Sequence, residues 1–307
     1  MRDRAPIIVL WRSQPELNTA FALPERVRAR YCVPMTADAF AKRLEREGLI
    51  VLEDETFHLT PEESSLLEAD LGDGRAKNVS LAPGATVRGT SAGEADAARL
   101  AALMSRFSAW ARNLVVGHAP SYAPSLEMGR TSFRPRAVDD APVSPRKDDR
   151  RLHVDAFASQ PTGGKRILRV FSNINPAGES RLWRVGEPFE AYARRWVGRA
   201  RAPWPGEAWL LERVGLTRSR RTPYDAFMLA LHDRAKLDPE YQRDAPRREA
   251  AFPPGATWIV YTDSTVHAAI AGRHALEQTF YLPLSAMAAP EASPARILER
   301  LTGRRLC

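Results

Sequence analysis

The chain has 307 residues, 44% of them apolar, with a formal net charge of +8 and a pI near 9.8. That length and apolar content can fill one large core or two small ones, which excludes a disordered or fibrous chain, and no stretch approaches the roughly twenty uninterrupted apolar residues of a membrane-spanning helix. The two cysteines, Cys32 and Cys307, stand at opposite ends without a CxxC pairing, which argues against a disulfide framework or a thiolate zinc site and fits a reducing compartment.

The opening segment MRDRAPIIVLWRSQPE has an apolar run too short for a spanning helix or a signal peptide, so the expectation is a soluble, cytoplasmic protein. Residues 1–35 say little else. The first third, to about residue 125, reads as helical with short extended pieces. Thr60-Pro61-Glu62-Glu63 predicts a helix start, with Thr60 as N-cap, Pro61 in the first turn and Glu63 closing a capping box. Leu100, Leu103, Met104, Phe107, Trp110, Ala111 and Leu114 recur at helical spacing after Gly93, a core-packing stripe that Gly117 is expected to end.

From about residue 130 the texture changes to short extended runs separated by Pro and Gly. TSFRP, RRLHVDAF, KRILRVFSNINP, TWIVYTD, VHAAI and LEQTFYLP read as strands, and together with helices they predict an α+β chain with a β-barrel or β-sandwich core at about 126–285. A helical insertion spans 188–250, with helices near 188–200 and 223–236. A C-terminal helix starting at Ser293-Pro294 fills 290–307, so that residues 1–307 make a single domain. The segment VDDAPVSPRKDDR, 138–150, reads as a charged loop beside the barrel mouth. Trp183, Trp196, Trp204 and Trp209 suggest core packing, or else a lid or a membrane contact.

In RLHVDAF, His153 and Asp155 are two residues apart, so on a strand both point to one face while Leu152, Val154 and Ala156 point to the other. One imidazole and one carboxylate, completed by a second imidazole from a distant strand, make a facial triad that leaves three positions open on iron(II). Of the remaining histidines, His267 in WIVYTDSTVHAAIAG is the best third ligand, flanked by a strand, a turn and small residues. His58 and His118 read as structural or loop residues, His274 as a turn residue and His232 as a helix residue.

These stretches resemble the 3-deoxy-D-manno-oct-2-ulosonic acid (Kdo) hydroxylases. The resemblance runs through DGRAKNVSL (73–81), RTSFRP (130–135), RKDDRRLHVDAFASQPTGGKRILRVFSNINP (146–176), WRVGEPFE (183–190), LALHDRAKLD (229–238) and FPPGATWIVYTDSTVHAAIAGRHALEQTFYLP (252–283). It implies a double-stranded β-helix (jelly-roll, cupin-like) fold and an Fe(II) centre on His153, Asp155 and His267, with 2-oxoglutarate and O2 as cosubstrates. It further implies hydroxylation at C3 of Kdo in Kdo-lipid A of lipopolysaccharide, giving D-glycero-D-talo-oct-2-ulosonic acid, succinate and CO2. Related halogenases replace the carboxylate by a small residue, so Asp155 favours hydroxylation. A glycolipid substrate implies peripheral contact with the cytoplasmic face of the inner membrane.

The far carboxylate of 2-oxoglutarate needs a cation deep in the site. Alternation on KRILRVFSN puts Ile167, Arg169, Phe171 and Asn173 on one face, making Arg169 the first choice and Asn173 a neighbour, while Arg166, near the turn, reads as solvated. Gln278 stands eleven residues after His267, where many relatives of the wider superfamily carry the cosubstrate arginine. For an anionic substrate the candidates are Arg130 and Arg134, which share a face with Ser132, and Lys77, Asn78 and Lys147 in charged loops. The basic charge would also suit nucleic acid, but 284–295 lacks the paired arginines of nucleic-acid oxygenases, so no nucleic-acid partner is expected. A non-enzymatic metal- or sugar-acid-binding barrel and a zinc hydrolase are the other readings; the latter lacks an evident general base. Oligomeric state is left open.

Overall fold

Helical stripes and extended runs stack in four layers in the computed structural model, which describes residues 36–68, 71–136, 144–199, 204 and 206–307. In chain order the first third gives α1 (Ala37–Glu47), β1 (Leu49–Leu52), α2 (Pro61–Ser64), β2 (Val79–Leu81) and α3 (Glu94–His118). The α2 capping box forms in full, Glu63 N–H donating to the Thr60 hydroxyl at 3.2 Å and Thr60 N–H to the Glu63 carboxylate at 2.9 Å. The predicted stripe of α3 is buried at Leu100, Leu103, Met104, Phe107, Ala111 and Leu114. Gly117 does not end this helix, which runs to His118 and stops one residue before Pro120, whose ring cannot continue it.

The strands β3 (Glu127–Arg134), β4 (Arg166–Asn173) and β5 (Arg181–Gly186) follow. Then come α4 (Phe189–Trp196), α5 (Glu207–Arg213), α6 (Pro223–Leu237) and α7 (Pro239–Asp244), and after them β6 (Arg247–Phe252), β7 (Thr257–Tyr261), β8 (His267–Ala271), β9 (Ala275–Leu282) and α8 (Pro294–Thr302). All pairings are antiparallel. One sheet has the order β1-β7-β4-β9-β3-β2 and the other β6-β5-β8, which an isolated bridge between His153 and His267 extends by one position. The edge strands β1 and β2 come from the helical first third.

The two sheets close on each other through stacked rings. Phe252 lies 4.0 Å and Phe171 5.1 Å from Trp258, and Trp183 meets the edges of Phe171 and Trp258 at 5.1 and 5.6 Å. Trp258 is fully buried there, and cutting it to Ala is expected to cost about 3–5 kcal/mol. Outside the large sheet, Leu168, Val170, Leu276 and Phe280 pack on α1 and α3; outside the small one, Leu152, Val154, Val266 and Ala268 pack on α4, α6 and α8. Two facing antiparallel sheets with helices outside make the chain an α+β double-stranded β-helix.

Three further expectations need correction. RRLHVDAF is not a full strand: only His153 joins a ladder, and 154–157 has no regular structure, although the alternation survives because Leu152 and Val154 are buried among helices. Trp183 and Trp196 are buried as core residues, but Trp204 and Trp209 are exposed. Arg166 is fully buried rather than solvated, because Asp263 from the β7–β8 turn reaches it. Of the loop 138–150, residues 138–143 lie outside the described residues, as do 1–35; 144–150 is turn and coil.

Candidate metal centre

His153 enters the cleft from the bridge to β8, Asp155 follows from the irregular segment after it, and His267 is the first residue of β8. The structure brings one ligand atom of each to within 4.8 Å of the others, and His153 Nε2 lies 3.6 Å from Asp155 Oδ1. Each imidazole is fixed through its other nitrogen. His153 Nδ1 sits 2.7 Å from the Arg151 carbonyl and His267 Nδ1 2.8 Å from the Thr265 carbonyl. A carbonyl only accepts, so Nδ1 carries the proton and Nε2 keeps its lone pair for a metal. Trp183 stacks on His267 at 5.1 Å and locks the ring plane.

Electrostatics favour the ligating forms. Burial and the neighbouring His153 push His267 down to about 4, so it is neutral at pH 7. Burial works against the Asp155 carboxylate, but Arg169 and the two histidines outweigh it and hold the group well below the usual range. Arg169 Nη2 lies 2.7 Å from Asp155 Oδ2, an ion pair not aligned as a hydrogen bond, and its Nη1 binds Glu277. Oδ1 therefore faces the histidines while Oδ2 is tethered. Two imidazoles and one carboxylate, preset in protonation and orientation and open to a cavity on one side, suit iron(II).

The triad lines a cleft of about 530 Å³, a size suited to small molecules. Lys77, Asn78, Arg130, Arg134 and Lys147, expected to meet substrate, and Arg169, expected to hold cosubstrate, all line it. Arg169 is committed to Asp155 and Glu277, and Arg134 reaches Glu277 at 2.5 Å and Asp149 at 3.7 Å. Asp149 also holds Lys77, and Lys236 lies 3.7 Å from it.

Two residues expected beside the cosubstrate do not reach the cleft. Gln278 has the opposite parity from Glu277, Thr279 and Tyr281 on β9, so it points to the helix side, bonded by the Thr131 hydroxyl at 2.6 Å and to the Thr279 carbonyl at 2.7 Å. Asn173 ends β4 beyond the cleft, its amide donating to the Glu179 and Phe252 carbonyls and its oxygen accepting from Asn175 N–H. Both are scaffold.

Asp149, Arg181, Lys236 and Glu277 also line the cleft, none of them expected from the sequence, and His232, expected only as a helix residue, lines it too. Glu277 was legible from its parity with Thr279. His232 and Lys236 come from α6, and only the fold brings that helix over the metal centre, His232 meeting the His153 ring edge-on at 5.4 Å.

The profile of the 3-deoxy-D-manno-oct-2-ulosonic acid (Kdo) hydroxylase family matches residues 29–305. No curated protein sequence matches the chain. Among solved structures, it is similar to the apo form of the Kdo hydroxylase KdoO, a non-heme Fe(II), alpha-ketoglutarate-dependent dioxygenase, at 42% identity and a TM-score of 0.83, covering 88% of this chain and 91% of that one. The cobalt(II) complex of KdoO gives 43% and 0.84, and its complex with alpha-ketoglutarate and Fe(III) 42% and 0.82, with the same coverage. A buried two-histidine, one-carboxylate cluster at the base of a cationic cleft, in a sheet pair of this shape and a sequence matched almost end to end, places the chain in the Kdo hydroxylase family of iron(II), 2-oxoglutarate-dependent dioxygenases.

Proposed function

We propose that this chain hydroxylates C3 of a Kdo unit carried on lipid A, giving D-glycero-D-talo-oct-2-ulosonic acid, and that His153, Asp155 and His267 hold the iron. Family membership makes it a dioxygenase that uses iron(II) and 2-oxoglutarate on a Kdo-containing substrate. The observation that carries the site assignment is the preset donor set, with both Nδ1 atoms engaged by carbonyls and both Nε2 atoms turned to the cleft. When bound, iron(II) with 2-oxoglutarate and O2 supplies the oxidising chemistry that places a hydroxyl on carbon, releasing succinate and CO2.

The chain's own residues orient and shield. Arg169 holds Asp155 by the oxygen that faces away from His153, and Trp183 keeps His267 in one plane. Phe157, Phe171 and Trp183 line the cleft with apolar surface that keeps bulk water from the reacting carbon. Lys77, Lys147, Arg130, Arg134 and Lys236 give the cleft a positive field that draws an anionic sugar acid.

Peripheral contact with the inner membrane's cytoplasmic face is part of the proposal. No helix of the described residues is long and apolar enough to cross a membrane. Around α5, Trp204 (47% exposed), Trp209 (55%), Val214 and Leu216 stand in solvent, with exposed Arg213 and Arg218 among them, and Arg218 also lines the cleft. Aromatic and aliphatic side chains interleaved with arginine suit an anionic headgroup layer.

The test is anaerobic reconstitution with iron(II), then addition of O2, 2-oxoglutarate and Kdo-containing lipid A. Mass spectrometry should find succinate and one added oxygen in the sugar, both lost in His153→Ala and Asp155→Ala. Succinate with an unmodified sugar would discard the substrate, and hydroxylation surviving in both variants would discard the triad.

A further inference from the structure

Arg130 reaches the cleft through an irregularity in β3. Glu127 pairs with Tyr281 and Met128 with Phe280, but Thr131 pairs with Gln278, so Gly129 and Arg130 together stand opposite Thr279. Directly paired residues share a face, and Tyr281 lines the cleft, so an unbroken strand would turn residues 129, 131 and 133 towards it. The extra residue switches that face to Arg130, Ser132 and Arg134, all of which line the cleft. Gly129 permits the bulge, since a Cβ there would lie 2.8 Å from the Thr279 carbonyl.

A second arginine arrives from the insertion. Arg218 lies in the connection between α5 and α6 and also lines the cleft. Its N–H donates to the Ser159 carbonyl at 3.0 Å, and Arg221 Nη2 donates to the neighbouring Ala158 carbonyl, so the connection is fastened to the segment that follows Asp155. Gln160 of that segment donates to the Tyr281 hydroxyl at 3.2 Å. Burial raises the Tyr281 phenol above its usual value while Arg169, Arg130 and Arg218 pull it down, so the fields of Arg130 and Arg218 meet at one hydroxyl of the cleft wall. Arg134 and Arg169 are answered by carboxylates, but none of the described residues brings one within 4.0 Å of Arg130 or Arg218.

Position says what the pair meets. Arg218 stands two residues from Leu216, on the exposed surface assigned to the bilayer, and lines the cleft that holds the triad. A glycolipid with its sugar acid at the triad and its acyl chains in the bilayer passes the two arginines with the part in between. In lipid A that part is a glucosamine disaccharide bearing phosphate monoesters. Two guanidinium forks on separate elements can share the three oxygens of a phosphate. We propose that Arg130 and Arg218 form a phosphate-binding subsite of the cleft, which takes a phosphate monoester of lipid A while the Kdo lies at the metal centre. This rests on reading the substrate as Kdo-lipid A.

Calorimetric titration of the full chain, loaded with cobalt(II) and 2-oxoglutarate, measures binding to two probes in neutral detergent micelles: Kdo-lipid A, and the same glycolipid stripped of its phosphate monoesters. The wild type should bind the phosphorylated lipid at least about tenfold more tightly. Arg130→Gln and Arg218→Gln should each weaken that lipid about 3- to 10-fold and leave the stripped one within about twofold, and the double variant should bind both alike. Retained binding of the stripped lipid reports an intact cleft. Arg220→Gln, which removes the same charge from an exposed position of the same connection outside the cleft, should change neither. The subsite is overturned if the wild type binds both lipids alike, or if Arg220→Gln weakens the phosphorylated lipid as much as Arg218→Gln does. Equal losses on both lipids in Arg130→Gln and Arg218→Gln also overturn it, and give the pair to the sugar acid. Phosphate-selective binding without hydroxylation of the sugar would discard the reaction and keep the subsite; hydroxylation without phosphate selectivity would do the reverse.

Discussion

Arg166 and Arg169 leave β4 three residues apart and face opposite sides of the same sheet. Arg166, on the helix side, is answered wholly within the protein: Nε and Nη2 meet Asp263 at 2.7 and 3.1 Å, Nη2 meets the Ser264 hydroxyl at 2.8 Å, and the guanidinium lies 4.0 Å over the Tyr261 ring. Arg169, on the cleft side, binds a carboxylate that also belongs to the metal triad and shares Glu277 with Arg134. On one face the charges close among themselves, and the result is scaffold. On the other, cations exceed carboxylates along the cleft wall, and the balance is left for metal, cosubstrate and substrate to complete.

The largest effect that would sharpen this contrast lies at the triad. His153→Ala or His267→Ala should lower succinate formation by at least about a thousandfold, since each removes a donor from the group that carries the chemistry, while the circular-dichroism spectrum stays native. The helix face should answer in the other currency. Arg166→Met leaves Asp263 buried and alone, an expected loss of about 3–5 kcal/mol in urea denaturation, with turnover per folded molecule unchanged. A cleft-face phenotype for Arg166→Met at full stability would break the division between the faces.

The next effect is a pH dependence. In the metal-free chain His267 has its folded value lowered to about 4 from 6.5. Between those values the unfolded chain takes up a proton that the folded chain refuses, so stability falls as pH drops from 6.5 towards 4, by up to about 3 kcal/mol. Asp155 and Glu277, also held low, contribute stability that is present at neutral pH and lost at still lower pH. Urea midpoints at pH 7 and pH 5 should differ in the wild type and draw together in His267→Gln. Equal midpoints in the wild type would mean that His267 is not sealed from solvent.

Arg169→Gln comes next. Losing the tether on Asp155 Oδ2 is expected to weaken cobalt(II) binding about 10- to 100-fold, read by competition with a chelating dye. Unchanged metal affinity would return Arg169 to the role its strand parity first suggested, a contact to cosubstrate.

What was legible in the chain follows the range of the interactions. His153 and Asp155 are two apart, and their alternation with the apolar Leu152 and Val154 is local, so it survives even where the ladder does not form. The α2 cap and the α3 stripe are local as well. Arg166 was misjudged because its partner Asp263 is 97 residues away, and nothing near Arg166 signals it. Gln278 was misjudged because its distance along the chain from His267 says nothing of parity; the register that sets Thr279 opposite Arg169 turns Gln278 to the other face. Lys236 and Arg181 needed the fold itself, one from a helix of the insertion and the other from the strand before it.

The smallest effect tests the exposed surface around α5, which neither face of the sheet explains. Trp209, Val214 and Leu216 contribute nothing to the cores, so Trp209→Ser should leave the urea midpoint unchanged. If this surface meets a bilayer, binding to vesicles with anionic headgroups should weaken in Trp209→Ser, and Arg213→Gln should lose about fivefold, near the 1 kcal/mol expected of one cation at such a surface. Neutral vesicles separate the two contributions: the tryptophan variant should weaken there too, whereas the arginine variant should match the wild type. Hydroxylation of free Kdo is equally informative: neither substitution touches the triad, so turnover of the soluble sugar acid should be unchanged while turnover on vesicle-borne Kdo-lipid A falls with binding. Equal losses on both substrates would move α5 from a membrane contact to a wall of the cleft, which Arg218 already reaches.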